Sequence, residues 1–382
     1  MSSANTVLLA HGSGGSMMHE LIESFFDTYN SDELRQGNDA AVLQTSECTD
    51  RIAFSTDTFV VTPHFFPGGD IGRLAVCGTV NDVATSGAVP KWLSVGFILE
   101  EGFSLVDLRR ICASMAEAAK EAGVKIVTGD TKVVNRGQGD GIYINTSGVG
   151  VFDDAGAKLG AGAKLGSAQQ LELDRAQQPT LGGAQQPAHN SAQQPTLGGA
   201  LCKPGDKILL SGTLGDHGIA IISQRESLSF ATTIESDAAP LNHLVQAVLA
   251  AAPNTRCFRD PTRGGLASTV NELATQSNTV FEIEEEAVPV QEQVLGACDM
   301  LGYDIFHVAN EGKMIAVVPA EEAVAALGAM RASRYGENAA VIGEVLELSA
   351  ANSTTPKAYV KTAFGSRRIL DMLTGEQLPR IC

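Results

Sequence analysis

The sequence has no apolar run approaching the roughly 20 residues of a membrane span, so no membrane-spanning helix is expected. It has no C-x-x-C pair, and its seven scattered cysteines fit neither a disulfide framework nor a zinc site. The opening stretch, MSSANTVLLAHGSGG, lacks a basic segment and has too short an apolar run for a secretory leader, so a cytoplasmic location is expected. Positive charge is scarce: 27 Lys and Arg stand against 44 Asp and Glu, a net charge of −17. Such a chain repels a polyanion, which argues against nonspecific binding to nucleic acid. Nucleotides are still allowed, because local glycines, cations and metal ions can hold them. The two commonest nucleotide loops are missing as well, with no G-x-x-x-x-G-K-[ST] and no well-placed G-x-G-x-x-G.

What is present is a chain of 382 residues, 44% hydrophobic and with 40 glycines, enough for two or three domains. A helix is expected to begin near Met17, straight after the glycine-rich HGSGG. RIAFSTDTFVV, WLSVGFILE, KIVTGD and GIYINTSGVGVF read as strands, and GRLAVCGTVNDVATSG and SLVDLRRICASMAEAAKEAG as helices, the second closed by Gly123. This α/β rhythm defines a first domain, 1–154. Residues 155–200 differ: GAKLGAGAKLG is a tandem duplication, and AQQPTLGGA occurs twice. A run so rich in Gln, Pro, Gly and Ala buries little, so a disordered surface insertion is expected. A second α/β domain spans 201–348. The tail, 349–382, is expected to hold two strands about Phe364-Gly365-Ser366 and a loose end from Gly375.

Chemistry-bearing residues fall at the turns. The loop His11, Gly12, Ser13, Gly14, Gly15 precedes a helix and could cradle a phosphate with converging N–H groups, or be an ordinary helix entry. Asp39, Asp57, Asp82 and Asp130 all sit beside apolar segments among Gly, Asn or Thr. Singly each reads as a cap or turn residue; together they suggest carboxylates gathered at one sheet edge, suited to Mg²⁺ carrying a nucleotide triphosphate. Lys132 lies two residues beyond Asp130 and would share its face in an extended segment. In the second domain Arg263 precedes two glycines in DPTRGG, another plausible anion site, with Asp260 at its start. Asp216 and His217 in GDHG read first as a capping pair, and Glu311 in NEGKM as a loop carboxylate with a catalytic alternative.

Taken together, AHGSGG, GNDAAV, STDTFVV, GTVNDVA, GDTKVV, PGD…SGTLGDHG, RDPTRGGLA, NEGKM and the ending GEQLPRIC resemble the HypE family of hydrogenase maturation factors. These are carbamoyl dehydratases within the aminoimidazole-ribonucleotide synthetase-like (PurM-like) ATP-binding superfamily. The likeness spans nearly the whole chain apart from 155–200. It implies a two-domain α/β (α+β) PurM-like fold whose N-terminal sheet pairs across a homodimer into a β-barrel, with a flexible C-terminal tail. It implies ATP and Mg²⁺ as cofactors. The nucleotide would be held by the His11–Gly15 loop, Asn81 and Arg263, and the metal by Asp39, Asp57, Asp82 and Asp130. It also implies that a carbamoyltransferase, HypF, loads Cys382 with a carboxamide, which is then dehydrated to the thiocyanate. The cyanide passes to iron on a HypC–HypD scaffold. Glu311 and Lys132 would take the protons, with Asp216, His217 and Asp260 nearby. Residues 375–382 could extend roughly 25 Å at about 3.3 Å per residue, so the tail is expected to alternate between an outer loading position and an inner one. Selenophosphate synthetase is the nearest alternative, but its glycine-rich loop would carry a reactive cysteine, which HGSGG lacks. From another class, a non-catalytic thiol scaffold for metallocentre assembly predicts no ATP turnover.

Overall fold

The computed structural model describes residues 16–17, 19–20, 40–44, 51–152, 197–228, 233–373 and 381–382. Ser16 and Met17 are helical, as expected; His11–Gly15, Asp39 and the repeat segment up to residue 196 lie outside the described residues.

The first half is a five-stranded sheet of β1 (Ala41–Gln44), β2 (Arg51–Phe59), β5 (Val89–Glu100), β6 (Lys125–Val134) and β7 (Ile142–Val151), in the lateral order β1-β2-β7-β5-β6. A short hairpin, β3 (Phe65–Phe66) with β4 (Gly69–Asp70), leads into the helix α1 (Ile71–Thr85). Asp70 caps α1 by accepting from the Gly72 and Arg73 amides at 2.8 and 3.0 Å. α1 is buried on nearly every side, because it has the sheet on one flank and the second half of the chain on another. α2 (Leu105–Ala122) is amphipathic instead, capped by Ser104 and closed by Gly123 in the left-handed conformation at φ 73°. Strand β7 alternates buried and half-buried residues, as expected of a sheet with one covered face. β6 does not alternate: Lys125–Val133 is exposed throughout, since this is an edge strand. Phe54, Trp92, Ile98, Ile126, Val127 and Val133 are left in solvent on this sheet.

The second half is a seven-stranded sheet. It comprises β8 (Lys207–Leu210), β9 (Cys257–Arg259), β10 (Val280–Glu284), β11 (Ile315–Val318), β12 (Ala340–Leu346), β13 (Lys357–Lys361) and β14 (Arg367–Ile369), in the order β14-β13-β10-β12-β8-β11-β9. The expected strands about Phe364-Gly365-Ser366 are β13 and β14, antiparallel with Lys361 opposite Arg367. Helices α3 (Asp216–Arg225), α4 (Asn242–Ala251), α5 (Gly265–Ser277), α6 (Glu292–Leu301) and α7 (Ala323–Ala332) complete it. Packed structure begins earlier than residue 201: Leu197, at the end of the second AQQPTLGGA, is 8% exposed and joins an apolar cluster with Leu241, Leu244 and Phe258.

The residues before 153 and after 196 form one compact unit. Another apolar cluster crosses from one half to the other, joining Phe59, Ile71 and Leu74 to Ile219, Ile222 and Val308, and Ile381 belongs to it. Among the described residues no helix is long and apolar enough to cross a membrane.

Candidate active site

The site forms where the ends of β2 and α1 meet three turns of the second half. Ser55 and Asp57 lie two apart on β2 and so share a face. That face packs on α1 at Gly78, where a Cβ would sit 2.9 Å from the Phe59 ring and 3.5 Å from Asp57 Oδ2. Asp82 is four residues further along α1, on the same stripe, and its Oδ2 accepts from the Ser55 hydroxyl at 2.9 Å. Asp57 and Asp82 are thereby brought together. Asn81 ties the two halves: its amide donates to the carbonyls of Ala239 (3.0 Å) and Glu311 (3.4 Å), and its Oδ1 accepts from Leu241 N at 2.7 Å.

From the other side comes the turn that carries Glu311, which is 3% exposed. Its amide donates to Asp237 Oδ1 at 2.9 Å, while its own Oε1 is buried with no hydrogen-bond partner among the described residues. Asn310 fixes this turn: it donates to the Pro261 and Val308 carbonyls at 3.0 Å each and accepts from Gly215 N at 2.7 Å. One buried amide thus ties the Asp260–Arg263 turn, the start of α3 and Glu311 together. Gly312 is required by contact, because a Cβ there would lie 1.7 Å from the Asp237 carbonyl oxygen. Gly312→Ala is therefore expected to push the two loops apart and to cost about 1–3 kcal/mol, the usual scale for overpacking. A thermal melt matching the parent chain would rule out this packing.

Cys382 sits in this cluster. Its main-chain oxygen accepts from Val60 N at 3.0 Å, and Ile381 beside it is only 4% exposed. Burial pushes the Cys382 thiol up to about 12, with Arg263 opposing the rise and Glu311, Asp57 and Asp260 adding to it. Glu311 is raised well above the usual carboxyl range by burial and by Asp260, Asp57 and Asp237, and is held back by Arg263. Burial also raises Asp57, again against Arg263. The same fields act in reverse on Arg263: Cys382, Asp57, Glu311 and Asp82 hold its guanidinium charged despite its burial. Cys382, Glu311, Arg263, Asp57, Asp82 and Asp260 therefore form one electrostatic unit.

Two of the expected residues lie elsewhere. Asp130 and Lys132 pair with each other at 2.5 Å on exposed β6. With β7 and β5 between them and β2, they stand about 14 Å away at roughly 4.8 Å per strand. Within one chain the aspartates do not all gather at one edge. Among the described residues no three His, Cys, Asp or Glu side chains meet in metal-binding geometry. Asp216 is engaged by other partners: it accepts from Thr213 (2.5 Å) and Gln291 (2.9 Å) and lies 3.6 Å from Lys313. Burial lifts it to about 6. His217, the next residue, does meet the tail. Asp237, Ser236 and Asn310 were not singled out by the sequence reading; a Ser-Asp in a loop and an Asn before Glu-Gly carry no signal beyond a turn.

This geometry has known counterparts. Residues 37–152 match the family model "AIR synthase related protein, N-terminal domain", and 203–352 match the "C-terminal domain" model of that name. These matches define an AIR-synthase-related, PurM-like protein. The curated relative "Carbamoyl dehydratase HypE" of Azotobacter vinelandii is 48% identical over 378 residues, covering 99% of this chain and 97% of that one. A solved HypE–HypF complex matches with a TM-score of 0.77 at 41% identity, over 94% of this chain and 100% of that one. A solved HypE in complex with ATP matches with a TM-score of 0.74 at 44% identity, over 99% and 100%. The chain belongs to the HypE family of carbamoyl dehydratases.

Proposed function

We infer that this chain uses ATP to dehydrate a carboxamide carried on the sulfur of its own Cys382, converting S–C(O)NH₂ to S–C≡N. The observation that carries this reading is the seat of Cys382 beside Glu311 and Arg263 in a cluster of carboxylates. An amide oxygen is a very poor leaving group, and expelling it as water runs uphill. Bound Mg²⁺–ATP supplies a phosphoryl group that turns this oxygen into a departing phosphate. The donor set fits such a ligand. Asp57 and Asp82 offer hard oxygens for the metal, joined by Asp39 as the sequence proposes and by Asp130 only from a second copy of the chain, since within one chain it stands at the exposed β6 edge; Arg263 offers a fork for phosphate. The His11–Gly15 loop contributes N–H donors to the nucleotide. Asn81 serves it by holding α1 against the 239–241 segment.

Glu311 takes the protons from the amide nitrogen. Its raised affinity for a proton suits a base, and its Oε1, without a hydrogen-bond partner among the described residues, leaves an oxygen for the purpose. A high thiol pKa keeps unloaded Cys382 as S–H within the site. Lys132 lies on the exposed β6 edge, and we assign it to a site completed across a homodimer. Unpaired strand edges and apolar side chains such as Val127 and Val133 favour that pairing. A HypF-type carbamoyltransferase loads the thiol while the tail is outside, and a HypC–HypD iron scaffold receives the cyanide. The six described cysteines are free thiols, which suits a reducing cytoplasm.

Intact mass spectrometry tests the reading. Incubation with the carbamoyltransferase, carbamoyl phosphate and ATP should add one carboxamide and then remove one water, the second step only with ATP. Cys382→Ala should show neither step. Lys132→Ala should load and then dehydrate slowly. Loading followed by no ATP-dependent water loss would leave a thiol scaffold instead of an enzyme.

A further inference from the structure

The start of α3 holds a fully buried histidine that the chemistry above does not use. His217 Nε2 lies 2.6 Å from the Ile381 carbonyl oxygen, and Nδ1 lies 2.8 Å from Ser236 Oγ. A carbonyl can only accept, so Nε2 carries the proton. In the neutral ring Nδ1 is then an acceptor and the Ser236 hydroxyl donates to it; Ser236 Oγ in turn accepts from Ala238 N at 3.2 Å. Burial lowers the histidine pKa, in keeping with a neutral ring of this tautomer. The Phe66 ring packs edge-on at 5.6 Å and closes the remaining side. α3 can begin here only because Gly215 adopts φ 83°, and a Cβ there would meet Ile305 Cδ1 at 2.4 Å. With the tail seated, tautomer and ring plane are therefore both defined by these contacts.

On the opposite flank Val60 N donates to the Cys382 oxygen, while the Ile381 side chain is buried in the apolar cluster it shares with Ile219 and Ile222. The last two residues are thus gripped at two main-chain oxygens and one apolar side chain, and none of the three contacts involves the sulfur. We propose that His217 is a positioning residue. With Val60 N–H and the apolar seat of Ile381 it forms a two-residue clamp that reads the Ile-Cys end and presents the Cys382 sulfur to Glu311. The main-chain contacts accept any sequence; selectivity lies in the seat for an aliphatic side chain at 381. This deepens the dehydratase reading and rests on it for the purpose of the clamp, though not for its existence.

The test uses the full-length chain and reads the thiol directly. Iodoacetamide alkylation of Cys382, followed at pH 8 by mass spectrometry of the C-terminal peptide, should be slow in the parent chain. His217→Leu removes the donor and should speed alkylation at least about tenfold, because a released end opens the sulfur to the reagent. His217→Gln places an amide N–H where Nε2 was and should keep alkylation slow; Ile381→Asp should release the thiol with His217 intact. In the coupled assay His217→Leu should load normally and dehydrate poorly, with His217→Gln restoring most of the rate. Parent-like alkylation of His217→Leu would overturn the clamp, as would equal release in the Leu and Gln variants. If no chain loses water with ATP, the dehydratase reading fails while the alkylation pattern still decides the clamp.

Discussion

Replacing Glu311 by glutamine is expected to leave Cys382 loading intact and to slow the ATP-dependent loss of water about 10²–10⁴-fold, the usual contribution of a positioned base. The substitution keeps the shape of the side chain and the main-chain bond to Asp237, so the Glu311–Gly312 turn should stay in place. The same variant should reveal the cost of the base. Glu311 is buried, has an oxygen with no hydrogen-bond partner among the described residues, and binds its proton more tightly than an unfolded glutamate. A carboxyl whose folded pKa is raised contributes stability that is fully present below its unfolded pKa and lost as pH rises through the folded pKa. Relative to the parent, Glu311→Gln should therefore gain stability with rising pH, by about 1.4 kcal/mol for every tenfold tightening of proton binding on folding. Its melting temperature should exceed the parent's at about pH 8, and the gap should close towards about pH 4, below which both side chains are neutral. Parallel melting curves across that range would show that burial does not oppose ionisation of Glu311. Unchanged water loss would remove it from the reaction. In the parent, dehydration should fall as pH drops through the raised pKa, because a protonated carboxyl cannot accept the amide proton.

Local pattern made much of this legible. The β2 alternation places Ser55 and Asp57 on one face, and the spacing of Gly78 and Asp82 puts the partner carboxylate on the α1 stripe that packs there. Gly123 could be read as the stop of α2 because a left-handed residue ends a helix. Lateral strand order could not be read. Nothing in KIVTGDTKVV says that β6 lies parallel to β5 at the far edge of the sheet, so Asp130 and Lys132 looked like neighbours of Asp57. The second half of the site depends on still longer-range contacts. Asn310 reaches Pro261, 49 residues away, and Gly215, 95 away. His217 reaches Ile381 over 164 residues. Each is an ordinary turn residue until the fold closes, which is why GDHG read first as a capping pair and not as the seat of the tail.

The tail also changes how the carboxylates are understood. Burial first, and then the acids beside it, raise the pKa of this thiol, which is unfavourable for a nucleophile but harmless for a carrier whose sulfur enters the site already acylated, as proposed above. On the proposed reading they hold a metal and accept protons instead, and that arrangement needs a cation to keep the cluster ionised.

Arg263→Met is accordingly expected to have the second large effect. Without the guanidinium, Asp57 and Glu311 lose the cation that holds their pKa values down, so both should bind protons more tightly. A triphosphate would meet this cluster of acids without the guanidinium that offsets their charge. Truncating one partner of a buried charge pair costs about 2–5 kcal/mol, which corresponds to a loss of roughly 30-fold or more in affinity for a non-hydrolysable ATP analogue by titration calorimetry. Arg263→Lys should recover only part of this, since an ammonium restores charge but not the planar fork. The pH dependence should run opposite to that of Glu311→Gln. Raised carboxyl pKa values make the Met variant lose stability as pH rises, so its melting deficit should be larger at about pH 8 than at about pH 5. Parent-like ATP affinity in the Met variant would remove Arg263 from the nucleotide site. A deficit that did not change with pH would show that its role is packing, not the electrostatic balance on which Glu311 depends.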